Sequence, residues 1–139
     1  MKSSADESGA ESSPRPRAVV AGHGDFPEGM ISAVEQISGR GAVFLALSNR
    51  GLSGQDIETR LRNVAEETGV RVFFTDLPAG SATLAIRRMM RDEPGMILVT
   101  GANLATLLEF VFQSDADSVS AAQLSADKGR ASISALGPG

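Results

Sequence analysis

Four short apolar runs, each too brief for a helix and each closed by glycine or polar residues, dominate the pattern of this chain. They are Ala18-Val19-Val20-Ala21, Val43-Phe44-Leu45-Ala46-Leu47, residues 70–75 with Val72, Phe73 and Phe74 at their centre, and residues 96–100. An unbroken apolar run of this length marks a strand buried on both faces, because a half-buried strand would alternate. The stretches between them carry helical spacing instead. Met30, Ile31, Val34 and Ile37 fall on one stripe of residues 28–38, with Gly39 at the C-cap position. Ser53 stands as a cap for a helix bearing Ile57, Leu61, Val64 and Ala65, and Gly69 closes it. A third helix is expected from Ala82 to Arg91, before the turn residues Asp92-Glu93-Pro94-Gly95, and a fourth from the cap Asn103 to Gln113. Strands alternating with helices across short loops predict an α/β fold: a doubly wound, mainly parallel four-stranded sheet with helices on both faces. Residues 118–128 read as one more helix and residues 130–136 as an antiparallel edge strand.

The 139 residues, 42% of them hydrophobic, supply one core of ordinary size. The segment over residues 1–16 is rich in Ser, Glu, Asp and Pro and is expected to be disordered, which leaves 17–139 as a single domain. Thirteen basic against 17 acidic residues make a poor nucleic-acid surface, so no nucleic-acid partner is expected. There is no cysteine and only one histidine, which argues against a thiolate or histidine metal site. No apolar run approaches the ~20 residues of a membrane span and the N-terminal segment has no apolar signal core, so the expectation is a soluble, cytoplasmic protein without membrane insertion.

The chemistry concentrates at strand ends. Ligands of doubly wound sheets bind beyond the carboxyl ends of the strands, where the strand order reverses. In the order 2-1-3-4 that point lies between strands one and three, and it brings His23, just past the first, to face Asp76, just past the third. A carboxylate that accepts one ring N–H fixes the tautomer and leaves the other nitrogen free as a nucleophile. The plain alternatives are a histidine satisfied by loop backbone and an aspartate that shapes a turn or caps a helix. The segment Asp76-Leu77-Pro78-Ala79-Gly80-Ser81 leads into a helix whose first N–H groups make an anion site. There Gly80 allows close approach and Ser81 can donate to a phosphoryl oxygen, or serve as a simple N-cap. Gly22 and Gly24 flank His23, and the plain reading of both is that they shape a turn. Asn103 is a helix cap at the same edge of the sheet and a candidate for supporting the site. Arg87, Arg88 and Arg91 read as a solvated helix face.

Taken in order, Ala18-Val19-Val20-Ala21-Gly22-His23-Gly24-Asp25-Phe26-Pro27-Glu28-Gly29-Met30, Phe74-Thr75-Asp76-Leu77-Pro78-Ala79-Gly80-Ser81, and Gly101-Ala102-Asn103-Leu104 followed by Leu107-Leu108-Glu109 resemble three blocks of one family. It is the mannose-family IIA component of the bacterial phosphoenolpyruvate-dependent sugar phosphotransferase system. The resemblance covers residues 18–113. It implies a free-standing carrier phosphorylated on His23 by phospho-HPr and discharged onto a IIB component, with Asp76 orienting the ring. Ser81, Gly80, Ala79 and Gly24 would surround the phosphoryl group, no cofactor or metal would be needed, and residues 130–136 would supply a strand exchanged in a homodimer. Ala79 and Ala82 stand where the family loop carries glycine and proline. The alternatives are a regulatory phosphocarrier that controls a protein partner without sugar transport, the phosphocarrier subunit of a dihydroxyacetone kinase system, and a small-molecule binding domain on a Rossmann-like sheet.

Overall fold

The computed structural model describes residues 15–113 and 115–139, so the disorder expected over residues 1–16 falls on positions 1–14, outside the described residues, and on two positions with no helix or strand. The elements run β1 (Ala18–Gly22), α1 (Phe26–Ser38), a 3-10 turn (Gly41–Val43), β2 (Phe44–Ser48), α2 (Gly54–Thr68), β3 (Val72–Thr75), α3 (Ser81–Asp92), β4 (Ile97–Val99), α4 (Leu104–Phe112) and α5 (Ser118–Ala131). All strand pairs are parallel, in the order β2-β1-β3-β4. β1 is central, with Ala18 opposite Phe44 on one side and Val72 on the other.

The two-residue period of a strand divides the apolar runs between two cores. Ala18, Val20, Val72 and Phe74 point to one face and pack with Val34 of α1, Leu107, Phe110 and Val111 of α4, and Ala121 and Ala122 of α5. Val19, Ala21 and Phe73 point to the other and meet Ile57, Leu61 and Ala65 of α2 and Ala82, Ala85, Ile86 and Met89 of α3. Both faces of the sheet are therefore covered, which is why its strands carry no polar alternation. On the first face Phe44, Phe74 and Phe110 form an aromatic cluster with centroid separations of 5.3 to 5.9 Å. Edge-on contacts of this kind add about 0.5–1.5 kcal/mol each beyond burial.

Helix boundaries depart from the sequence reading at two N-termini. α1 begins at Phe26, with Asp25 at the N-cap and proline in its first turn, two residues before the stripe becomes visible. α3 begins at Ser81, with Gly80 as its N-cap, so the simple capping role considered for Ser81 belongs to the glycine. The larger correction concerns residues 130–136. Arg130 and Ala131 lie inside α5, whose last turn gathers Lys128 and Arg130 at the negative end of its dipole, and Ser132 N still donates to Lys128 O at 3.0 Å. Residues 132–139 form no strand in the single chain, because a strand needs a ladder partner and this chain pairs none with them.

Candidate active site

The chain winds outward from β1 in both directions, toward β2 on one side and toward β3 and β4 on the other, so the reversal of strand order lies between β1 and β3. The loops leaving β1 and β3 meet there. Asp76 Oδ2 accepts the backbone N–H of His23 at 2.8 Å and lies 2.9 Å from His23 Nδ1. An ionised carboxylate can only accept, so Nδ1 carries the ring proton and Nε2 keeps its lone pair. The Asp76 side chain is 16% exposed and that of His23 is 51% exposed, which leaves the carboxylate sheltered and the imidazole open.

Burial of Asp76 works to raise its pKa, but the backbone N–H of His23, its ring N–H and its charge outweigh that penalty and hold the carboxyl below the usual aspartate range. A carboxyl whose pKa is lower folded than unfolded stabilises the fold above its unfolded value of about 3.9. That contribution is lost as pH falls through the folded value. Wild-type stability should therefore drop more than that of Asp76→Asn when urea unfolding is compared at pH 7 and at about pH 3. Equal losses in the two proteins would contradict this linkage.

The start of α3 closes the third side. Gly80 holds φ +114 and ψ 164, a conformation open essentially to glycine alone. A Cβ built there would sit 3.2 Å from His23 Cε1 and 3.8 Å from Nε2, so the backbone runs along the free edge of the imidazole. Ser81 opens the helix beside it, and its hydroxyl has no hydrogen-bond partner among the described residues. Ala79 is exposed on the same loop. Gly24 sits at φ +55 on the other side of the histidine, and its carbonyl accepts from Ser48 Oγ at 2.8 Å.

Asn103 is engaged elsewhere. It caps α4 by accepting from Thr106 N at 2.9 Å, and its Nδ2 donates to Gly129 O at 3.1 Å, fastening α4 to α5. No hydrogen bond links it to His23 or Asp76 among the described residues; the contact from its neighbourhood is Ala102 N, which donates to Thr75 O at 2.9 Å. On α3, Arg87 and Arg91 are exposed and Arg88 pairs with Glu58 of α2 at 2.6 Å, as a solvated helix face would.

Three features went unread in the sequence. Gly22 makes room for the carboxylate, since a Cβ there would lie 2.6 to 2.8 Å from Asp76 Cγ, Oδ1 and Oδ2. The end of β2 is stitched to the histidine loop, with Asn49 N donating to Gly22 O at 2.9 Å and Arg50 Nη1 to Asp25 Oδ1 at 2.9 Å. Thr75 and Thr83, both buried, share a hydroxyl contact of 2.8 Å beneath the loop 76–81. The polar residues after β2 and the hydroxyl just before Asp76 were the available signals.

At the switch point of this parallel doubly wound sheet, a solvent-open histidine paired with a carboxylate stands beside a helix N-terminus. Residues 17–126 match the family model EIIA-man, described as PTS system fructose IIA component, and the chain belongs to that family. Membership brings a phosphocarrier role in a sugar phosphotransferase system. The chain is similar in structure to a mannose/sorbose specific IIA subunit from Enterococcus faecalis, with TM-score 0.77, 18% identity, and coverage of 91% of this chain and 98% of that one. A PTS IIA protein associated with the fucose utilization operon of Streptococcus pneumoniae gives 0.75 at 21% identity, covering 88% and 94%. The EIIA component from Streptococcus agalactiae gives 0.70 at 22%, covering 81% and 93%. None of the curated proteins matches the chain. Among the described residues no helix is long and apolar enough to cross a membrane, and no group of three or more His, Asp or Glu is placed to hold a metal ion.

Proposed function

We propose that residues 17–139 act as one cytoplasmic phosphocarrier domain that takes a phosphoryl group from phospho-HPr onto His23 and passes it to a IIB component. The observation that carries this reading is the pairing of His23 Nδ1 with Asp76 at 2.9 Å, which leaves Nε2 free on the open side of the ring. In the forward step the Nε2 lone pair forms a bond to phosphorus while the P–N bond to the donor histidine breaks and its electron pair returns to the donor ring. With Nδ1 protonated, the phosphorylated imidazole is cationic, and Asp76 stabilises it as the orienting carboxylate of a protease triad stabilises imidazolium. The first turn of α3 has free backbone N–H groups and the positive end of its dipole turned to the same edge, where Gly80 and Ser81 stand, while Ala79 and Gly24 form the rim. Transfer between like histidines through a loose phosphoryl transition state asks mainly for positioning and charge stabilisation, with no cofactor. Asn103 acts through the packing of α4, outside the shell of groups that touch the ring. The outer side of β4 has no ladder partner among the described residues, which supports a homodimer in which a second copy supplies one.

The test is intact-mass spectrometry after incubation with phosphoenolpyruvate, enzyme I and HPr. An acid-labile gain of one phosphate, mapped to His23 and lost when IIB is added, is the expected result. No gain, with HPr shown to be phosphorylated in the same tube, would overturn the reading.

A further inference from the structure

Asp76 works only while its carboxylate stays level with the imidazole, yet it lies at the start of a six-residue loop, 76–81, with exposed residues at 77, 78 and 79. What holds it is a buried hydroxyl from the next helix. Thr83, in the first turn of α3, is 1% exposed, and Thr75, the last residue of β3, is 0% exposed. Thr83 Oγ1 donates to Leu77 O at 2.7 Å and lies 2.8 Å from Thr75 Oγ1. Each hydroxyl has one proton, so once Thr83 gives its own to the nearer carbonyl, Thr75 supplies the proton of the 2.8 Å bond. The residues on either side of Asp76 therefore converge on a single oxygen. From behind, Thr75 O accepts from Ala102 N at 2.9 Å, and in front the Thr83 hydroxyl ties Leu77, the residue next to Asp76, to α3.

Resting on the phosphocarrier reading, we propose that Thr83 is a positioning residue for the transfer: its hydroxyl sets the distance between the carboxylate that orients His23 and the helix N-terminus that receives the phosphoryl group. Both groups hang from the same helix turn, since Thr83 lies two residues after Ser81 and three after Gly80. A rigid link of this sort matters because reacting groups misplaced by about 1 Å lose up to a hundredfold in rate. Valine at position 83 keeps the shape and removes the hydroxyl, leaving Leu77 O with only the Thr75 hydroxyl, 3.4 Å away. Serine keeps the hydroxyl.

The experiment compares wild type, Thr83→Val and Thr83→Ser in single-turnover phosphorylation by phospho-HPr, together with imidazole nitrogen NMR of each unphosphorylated protein. Thr83→Val is expected to lose roughly tenfold to a hundredfold in rate. Its ring nitrogens should move from the Nδ1–H pattern toward a tautomer mixture, while Thr83→Ser keeps both the rate and the pattern of wild type. Circular dichroism and thermal unfolding establish that Thr83→Val is folded at the assay temperature. If it unfolds there, the NMR comparison is made at a lower temperature, where an unchanged ring pattern overturns the proposal. A folded Thr83→Val with wild-type rate and wild-type ring signals also overturns it, as does a Thr83→Ser as slow as the valine variant. Failure of the wild type itself to take phosphate would fall on the phosphocarrier reading, leaving the ring signals as the measure of positioning.

Discussion

Replacing Asp76 with asparagine is expected to slow phosphoryl uptake by His23 roughly ten-thousandfold while leaving the fold in place, by analogy with neutral substitution of a triad aspartate. A single oxygen, Oδ2, now accepts both the backbone and the ring N–H of His23, and an asparagine oxygen can accept the same two bonds. Shape is conserved, and what disappears is the charge. The amide can also turn its NH2 toward Nδ1, which favours the tautomer whose Nε2 carries the proton, and the cationic phosphoimidazole loses its counter-ion. The measurement is quench-flow phosphorylation by phospho-HPr, with the far-ultraviolet spectrum recorded alongside. A variant within about threefold of wild type would mean that the carboxylate contributes less than ~1 kcal/mol to the transition state and that the pairing is structural.

Gly22→Ala is expected to reach part of that loss without touching either reacting group. The backbone at Gly22 lies within β1 and poses no obstacle to alanine. The obstacle is the neighbour, since the new methyl would stand 2.6 Å from Asp76 Cγ, a separation no carbon pair tolerates. The carboxylate must swing away, and it gives up both bonds to His23 as it does so. The expected result is uptake slowed about a hundredfold, the loss typical of a displaced orienting group. Overpacking should also cost about 1–3 kcal/mol of stability. Carboxyl-carbon NMR adds a second readout, because a displaced Asp76 would titrate closer to the ordinary aspartate range. Wild-type rate in a folded Gly22→Ala would show that the carboxylate can be moved without consequence.

The sheet was legible because strands covered on both faces leave an unbroken apolar signature, and helices between them imply parallel strands joined by right-handed crossovers. Given the order 2-1-3-4, the loops after the first and third strands face one crevice, which brings together two residues 53 positions apart. The roles of Gly22, Thr75 and Thr83 depend on which way side chains turn at the end of a strand or in a first helical turn, and periodicity is blind to that. The cap at Asn103 and its place at the edge of the sheet were readable, but not that its amide would reach Gly129 of α5. Nor does an Ala- and Ser-rich helix such as α5 announce its end. Its seat depends on Gly129, where a Cβ would collide with Thr106 Oγ1, and that fit exists only in three dimensions.

The half-open imidazole also governs traffic through the proposed relay. One rim, with one exposed nitrogen, admits a single visitor at a time, so donor and acceptor must occupy the same ground in turn and neither can be held tightly without shutting out the other. Throughput then depends on how soon a spent partner lets go, since dissociation is the step that interface changes alter most. In such a relay a stronger handshake would make a slower courier.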